Sequence, residues 1–340
     1  MPQGTFKLSD DEFFSSPWKN QDLVEAPFIG PRTEALLVDA PHKISLDVRK
    51  TAPILAIRLS RTANEISAPF RKFAIVVASD LDSGRNYANL AVEPPSRSVE
   101  EPEEREVSPT AMTGGAYEID LRERLNLPWR TSHLVVTLVL RDQLTDSLEV
   151  ELGFSPGGYQ DPEVEKHRLA ERLRQPLPLV EPAPALERGS LPAYGKVPGA
   201  PKIPDAAGLL LAAPRVLVAS SESTVRLEGS FRLPVPPHLF VQPGERSSKL
   251  AQQFGDGPLP LALVPILLVI TSSKYPAPLV LQLTVPAWEV DDARMATGQF
   301  ALDLDSVTNV RRAGRTFFAY AFSGAQRAGP LPIAVVSEEN

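Results

Sequence analysis

The sequence predicts an all-β fold: two tandem antiparallel β-sandwich domains, immunoglobulin-like or jelly-roll, produced by an internal duplication and joined through one short linker helix. Three observations predict it. Apolar residues recur with period two in short runs, the mark of half-buried strands. Proline reaches 35 of 340 residues, about twice the usual share of roughly 5%. Finally, the same motifs recur in the same order in both halves.

The totals set the frame. A chain of 340 residues exceeds one ordinary core, so two domains are expected. At 43% hydrophobic and 23% charged the composition is globular. Proline lacks a backbone donor and gathers at strand edges, turns and linkers, which argues against a helical protein. The net charge of −7 supplies no field for nucleic acid or anionic lipid, so neither is an expected partner. Without cysteine there is no disulfide, thiolate nucleophile or zinc–thiolate site to expect. The first twenty residues show no basic start followed by an apolar run, so no Sec-type signal peptide is expected and the chain reads as soluble and cytoplasmic. The most apolar stretch, "LPLALVPILLVI" (259–270), is too short to span a bilayer and holds Pro265, so it reads as a buried strand.

In chain order, residues 1–33 form an N-terminal arm of mixed polar and aromatic residues, including Phe13, Phe14 and Trp18, that packs on its own protein or contacts a partner. The first sandwich domain follows over 34–154. "ISLDVRK" (44–50) alternates Ile44, Leu46 and Val48 with polar residues, and "ILAIRLS" (54–60) continues the pattern. "FAIVVAS" (73–79) is apolar on both faces, which predicts a central strand. "YANLAVE" (87–93), "AYEIDL" (116–121), "HLVVTLVL" (133–140) and "SLEVEL" (147–152) complete the set, and short strands separated by Pro, Gly, Asp and Ser suggest a sandwich. The acidic run "SRSVEEPEEREVSPT" (96–110) cannot bury enough apolar surface to order itself and reads as a solvated loop, with cation binding as its alternative role.

Residues 155–206 are read as a helix plus a proline-rich linker. "DPEVEKHRLAERLRQP" has Asp161 as cap, Pro162 in the first turn, acids at the start, bases at the end and Pro176 as the stop, which predicts one helix. "PLPLVEPAPALERGSLPAYGKVPGAPKIPD" has neither a helical nor a strand period and marks the domain boundary. The second sandwich domain spans 207–338. Its extra length, near 236–260, includes "RSSKLAQQF" (246–254), which predicts a short helix.

The duplication rests on aligned stretches. "LLVDAPHKI" (36–44) matches "LLLAAPRVL" (209–217) at an offset of 173. "FAIVVASD" (73–80) answers to "PILLVITS" (265–272). "GAYEIDLRERLN" (115–126) answers to "GQFALDLDSVTN" (298–309), sharing Gly115/Gly298, Asp120/Asp303, Leu121/Leu304 and Asn126/Asn309. An apolar strand follows in both, "LVVTLVL" (134–140) and "FFAYAFS" (317–323). In the first pair the proline breaks ladder pairing and turns the chain, so that motif reads as a structural corner.

Chemistry is sparse. His42, His133, His167 and His238 lack the close spacing of a local metal cluster. Phosphate loops of Walker or dinucleotide type and a GxSxG elbow are absent, so no catalytic residue and no cofactor is assigned. "SDLDSG" (79–84) makes Asp80 and Asp82 weak calcium candidates, but the distal glutamate of an EF-hand is missing and a plain turn is the favoured reading. Asp120 and Asp303 are the one carboxylate pair to weigh for hydrolysis, yet each alternates out of phase with its apolar neighbours and is expected to face solvent or cap a turn. Trp129 and Trp288 lie beside prolines, where a ligand-stacking aromatic could sit. The favoured function is a non-enzymatic structural or protein-interaction protein, partnered by itself or another protein, with Phe13, Phe14, Trp18, Trp129 and Trp288 as contact candidates. The alternatives are a carbohydrate- or ligand-binding protein using loop aromatics and, behind it, a carboxylate-dependent hydrolase.

Overall fold

The computed structural model describes residues 24–25, 35–45, 52–60, 70, 72–92, 113–128, 130–153, 193–218, 225–241, 259–272, 278–307 and 315–336. The expected helix at 161–175, the acidic run at 96–110, the short helix at 246–254 and residues 46–50 of the expected strand 44–50 lie outside these residues. The protein is all-β. Its strands fall into two compact units, Met1–Ala78 with Tyr87–Val180, and Ser79–Asn86 with Glu181–Asn340.

The first unit contains β1 (Val24–Glu25), β2 (Ala35–Asp39), β3 (Lys43–Ser45), β4 (Pro53–Ser60), β5 (Ile75–Asp80) as far as Ala78, β6 (Asn86–Leu90) from Tyr87 onward, β7 (Thr113–Asp120), the short helix α1 (Leu121–Leu125), β8 (Ser132–Leu140), β9 (Gln143–Leu144) and β10 (Leu148–Gly153), while Ser79, Asp80 and Asn86 belong to the second unit. One sheet runs β1-β7-β4-β2 and the other β3-β10-β8-β5-β6, with β9 paired to β8. Alternation explains the core. Ile54 and Ala56 of β4, Tyr117 and Ile119 of β7, Val76 and Ala78 of β5, Leu134, Val136 and Leu138 of β8, and Val150 and Leu152 of β10 meet in one apolar cluster drawn from both sheets. β5, apolar on both faces over Ile75–Ala78, is buried along its whole length.

The second unit contains β11 (Ala193–Tyr194), β12 (Gly208–Ala212), β13 (Val216–Val218), β14 (Arg226–Pro234), β15 (Ala262–Ser272), β16 (Leu279–Ala287), β17 (Glu289–Val290), β18 (Met295–Asp303), the single-turn helix α2 (Leu304–Val307), β19 (Arg315–Ser323) and β20 (Gln326–Val336). Its sheets run β11-β18-β14-β12, with β17 paired to β18, and β13-β20-β19-β15-β16. Leu227, Phe231 and Phe300 from the first sheet pack with Ile266, Leu268, Phe317 and Ile333 from the second.

Apart from the short strands β1, β11 and β17, the two strand orders correspond, with β9 and β10 together matching β20, and the registers of the shared ladders agree. Ala35 pairs with Leu59 across β2 and β4, and Gly208 with Arg232 across β12 and β14. Pro53 faces Asp120 where Arg226 faces Asp303. Val150 faces Leu134 where Ile333 faces Phe317. Each pair is carried onto its counterpart by the offsets of 173 and 183 read from the aligned motifs.

The expectation of purely antiparallel sheets needs correction. β3 pairs in parallel with β10, and β13 in parallel with β20. The reason is the Ala-Pro corner. After β2 the chain passes Pro41 and enters the other sheet instead of folding back on its neighbour; Pro214 does the same after β12. Glu151 N then donates to His42 O and Ala334 N to Arg215 O, each at 2.8 Å, so both corners end on the same hydrogen bond.

Two segments expected outside the domains join sheets. From the N-terminal arm, Val24 and Glu25 pair with Gly114 and Thr113 of β7. From the proline-rich stretch, β11 pairs with β18, and residues 197–205 lie along the same sheet. Gln299 Oε1 accepts from Val197 N at 3.1 Å and Gln299 Nε2 donates to Pro201 O at 3.1 Å. Ser230 Oγ donates to Lys202 O at 3.2 Å and Arg232 Nη1 to Asp205 O at 2.7 Å. The carbonyls of Pro201, Lys202 and Asp205 are thus satisfied by polar side chains of β14 and β18.

Candidate functional site

A sheet's outer face is normally polar, because alternate residues point to water. The first unit obeys this where β3, β10 and β8 lie side by side. Lys43 and His133 are exposed, Glu149 is exposed, and Ser45 and Glu151 are half-buried. Lys43 and Glu151 are direct partners in the parallel ladder, and Lys43 Nζ donates to Glu151 Oε1 at 2.9 Å. That hydrogen bond, with the charge of Lys43 behind it, holds the Glu151 carboxyl below its ordinary value. A charged pair on an edge strand is a recognised guard against edge-to-edge association.

The second unit lacks that guard. At the matching positions of β13, β20 and β19 stand Val216, Val218, Pro332, Ala334 and Thr316, and Val336 and Phe318 extend the same side where the first unit has Gly153 and Val135. Val216 pairs with Ala334 and Val218 with Val336, while Phe318 pairs with Pro332. Val216 is 62% and Val218 37% exposed, against 8% for Leu217 between them, so the two valines share the outer side and Leu217 anchors the strand in the core. Pro332 is exposed, and Phe318, Ala334 and Val336 are half-buried. The result is an apolar outer face at a sheet edge, the type of surface that marks an interaction site.

The sequence-derived candidates fall elsewhere. Phe13, Phe14, Trp18 and Trp129 lie outside the described residues. Trp288 follows β16 and is 36% exposed, with its ring over Gly195: a Cβ built there would lie 4.0 Å from Trp288 Cζ3. Asp80 is buried and organises a turn. Its Oδ1 accepts from Asp82 N at 3.0 Å and Ser83 N at 3.2 Å, and its Oδ2 accepts from Ser83 Oγ at 2.7 Å. Such an Asx-type turn is what Asp in this context builds; Asp82 is exposed at its tip. Among the described residues no group of three His, Cys, Asp or Glu side chains is placed to hold a metal ion.

Within the second unit this turn is held by Asn86 Nδ2 donating to Pro265 O at 3.1 Å and His238 Nε2 donating to Ser83 O at 2.8 Å.

Asp120 and Asp303 cap helices. Asp120 Oδ1 accepts from Ala52 N at 2.9 Å and Arg122 N at 3.0 Å, and Asp303 Oδ1 accepts from Asp305 N at 3.0 Å. Asn126 ends α1 in the left-handed region at φ 48°.

The apolar face was not singled out by sequence reasoning, since "RVLV" reads like any core strand. The signal was present in the alignment of the halves, where Lys43 meets Val216, Glu149 meets Pro332 and Glu151 meets Ala334.

No protein-family model and no curated protein matches the chain. A solved structure described as "Biofilm associated protein - BSP domain" is similar at a TM-score of 0.15 and 9% identity, over 90% of this chain and 58% of that one. A likeness at that level carries no argument about fold or function. Among the described residues no helix is long and apolar enough to cross a membrane.

Proposed function

We propose that the chain is a non-enzymatic interaction protein built from two β-sandwich modules of common origin. The shared strand order, the shared registers and the paired Ala-Pro corners support duplication of one module. The observation that carries the functional reading is the contrast at one place in the repeat: Lys43, Glu149 and Glu151 in the first unit stand where Val216, Pro332 and Ala334 stand in the second. One copy of the face suits water and the other suits a protein surface, and a copy of the same chain is the first partner to test.

The experiment writes the first unit's residues into the second. Light scattering over a concentration series is expected to show association of the wild-type chain and its loss in the double substitution Val216→Lys with Ala334→Glu, at unchanged circular dichroism. A wild-type chain that stays monomeric at every concentration overturns self-association.

A further inference from the structure

We draw no further inference here: the strongest candidate, the apolar outer face of β13, β20 and β19, belongs to the site already described, and nothing in the structure shows what covers it.

Discussion

The two units share topology and register but fill the same core positions differently. In the second, Gly229 faces Phe300 and Phe231 faces Gly298 across β14 and β18. Each ring lies over the glycine opposite: a Cβ at Gly229 would come within 2.2 Å of Phe300 Cζ, and one at Gly298 within 2.6 Å of Phe231 Cζ. In the first unit the corresponding ladder sets Ala56 against Tyr117 and Arg58 against Gly115. Its second ring comes from outside the ladder, as Phe70 stacks on Tyr117 with centroids 4.1 Å apart and planes 7° from parallel. The same backbone pairing thus carries a ring at both Tyr117 and Phe300, while the ring that Phe231 supplies from the ladder has no counterpart at Arg58 and Phe70 comes from another segment. Interiors are close-packed, so each solution excludes the other's residues.

The largest expected effect comes from emptying that position. Phe300→Ala deletes a fully buried ring and should cost about 3–5 kcal/mol in urea unfolding. Tyr117→Ala should fall in the same range. A loss under about 1 kcal/mol for either would show that the site collapses freely, contrary to a close-packed interior.

Exchanging the solutions is next. Gly229→Ala forces a methyl into the Phe300 ring and should destabilise by about 1–3 kcal/mol. The reverse change at the matching position, Ala56→Gly, removes a methyl without a clash and should cost about 0.5–1 kcal/mol from backbone freedom, plus the lost contact. Equal effects measured by calorimetry would mean that the Gly–Phe pairing is incidental.

The caps should matter less and should differ. Asp120→Ala removes an acceptor from both Ala52 N and Arg122 N and should cost about 0.5–2 kcal/mol. Asp303→Ala, whose Oδ1 serves Asp305 N, should lie lower in that range; thermal unfolding of the two variants ranks them.

The smallest effect is electrostatic. The Glu151 carboxyl is held below its ordinary value by the Lys43 hydrogen bond. A lowered folded-state value adds stability above the unfolded-state value, and that contribution is lost as pH falls through the folded one. Lys43→Ala should raise the Glu151 carboxyl value toward that of a free glutamate in an NMR titration. No change in the titration would separate the pair's geometry from its electrostatics.

The strand positions were legible because they are local: β4, β5, β8 and β10 each carry their own periodicity. The repeat offsets carry the β2–β4 and β4–β7 registers onto those of β12–β14 and β14–β18, but no register was legible in either half alone. Partners far apart in sequence were not legible. Nothing in "LLVDAPHKI" says that its last residues will lie parallel to "VELG", because that pairing is decided by the whole unit. The Asp80 turn illustrates a second limit. "SDLDSG" suits both a cation loop and an Asx turn, and only geometry shows the carboxylate accepting from Ser83 and Asp82. The site itself was hidden for a third reason: a valine in an edge strand and a valine in a core strand are the same letter, and exposure separates them.

The parallel ladder between β3 and β10 also constrains the order of events during synthesis. Lys43 and Glu151 are 108 residues apart, so a nascent chain cannot close that seam until the last strand of the unit has left the ribosome. Until then β8, rich in valine and free of acidic and basic charge, waits without its neighbour β10, and β3 waits without its ladder partner. Long-range pairings of this kind fold slowly and leave strand edges open to the wrong partner. The corner that stitches the sheets together thus sets a window of vulnerability whose length is governed by the pace of translation.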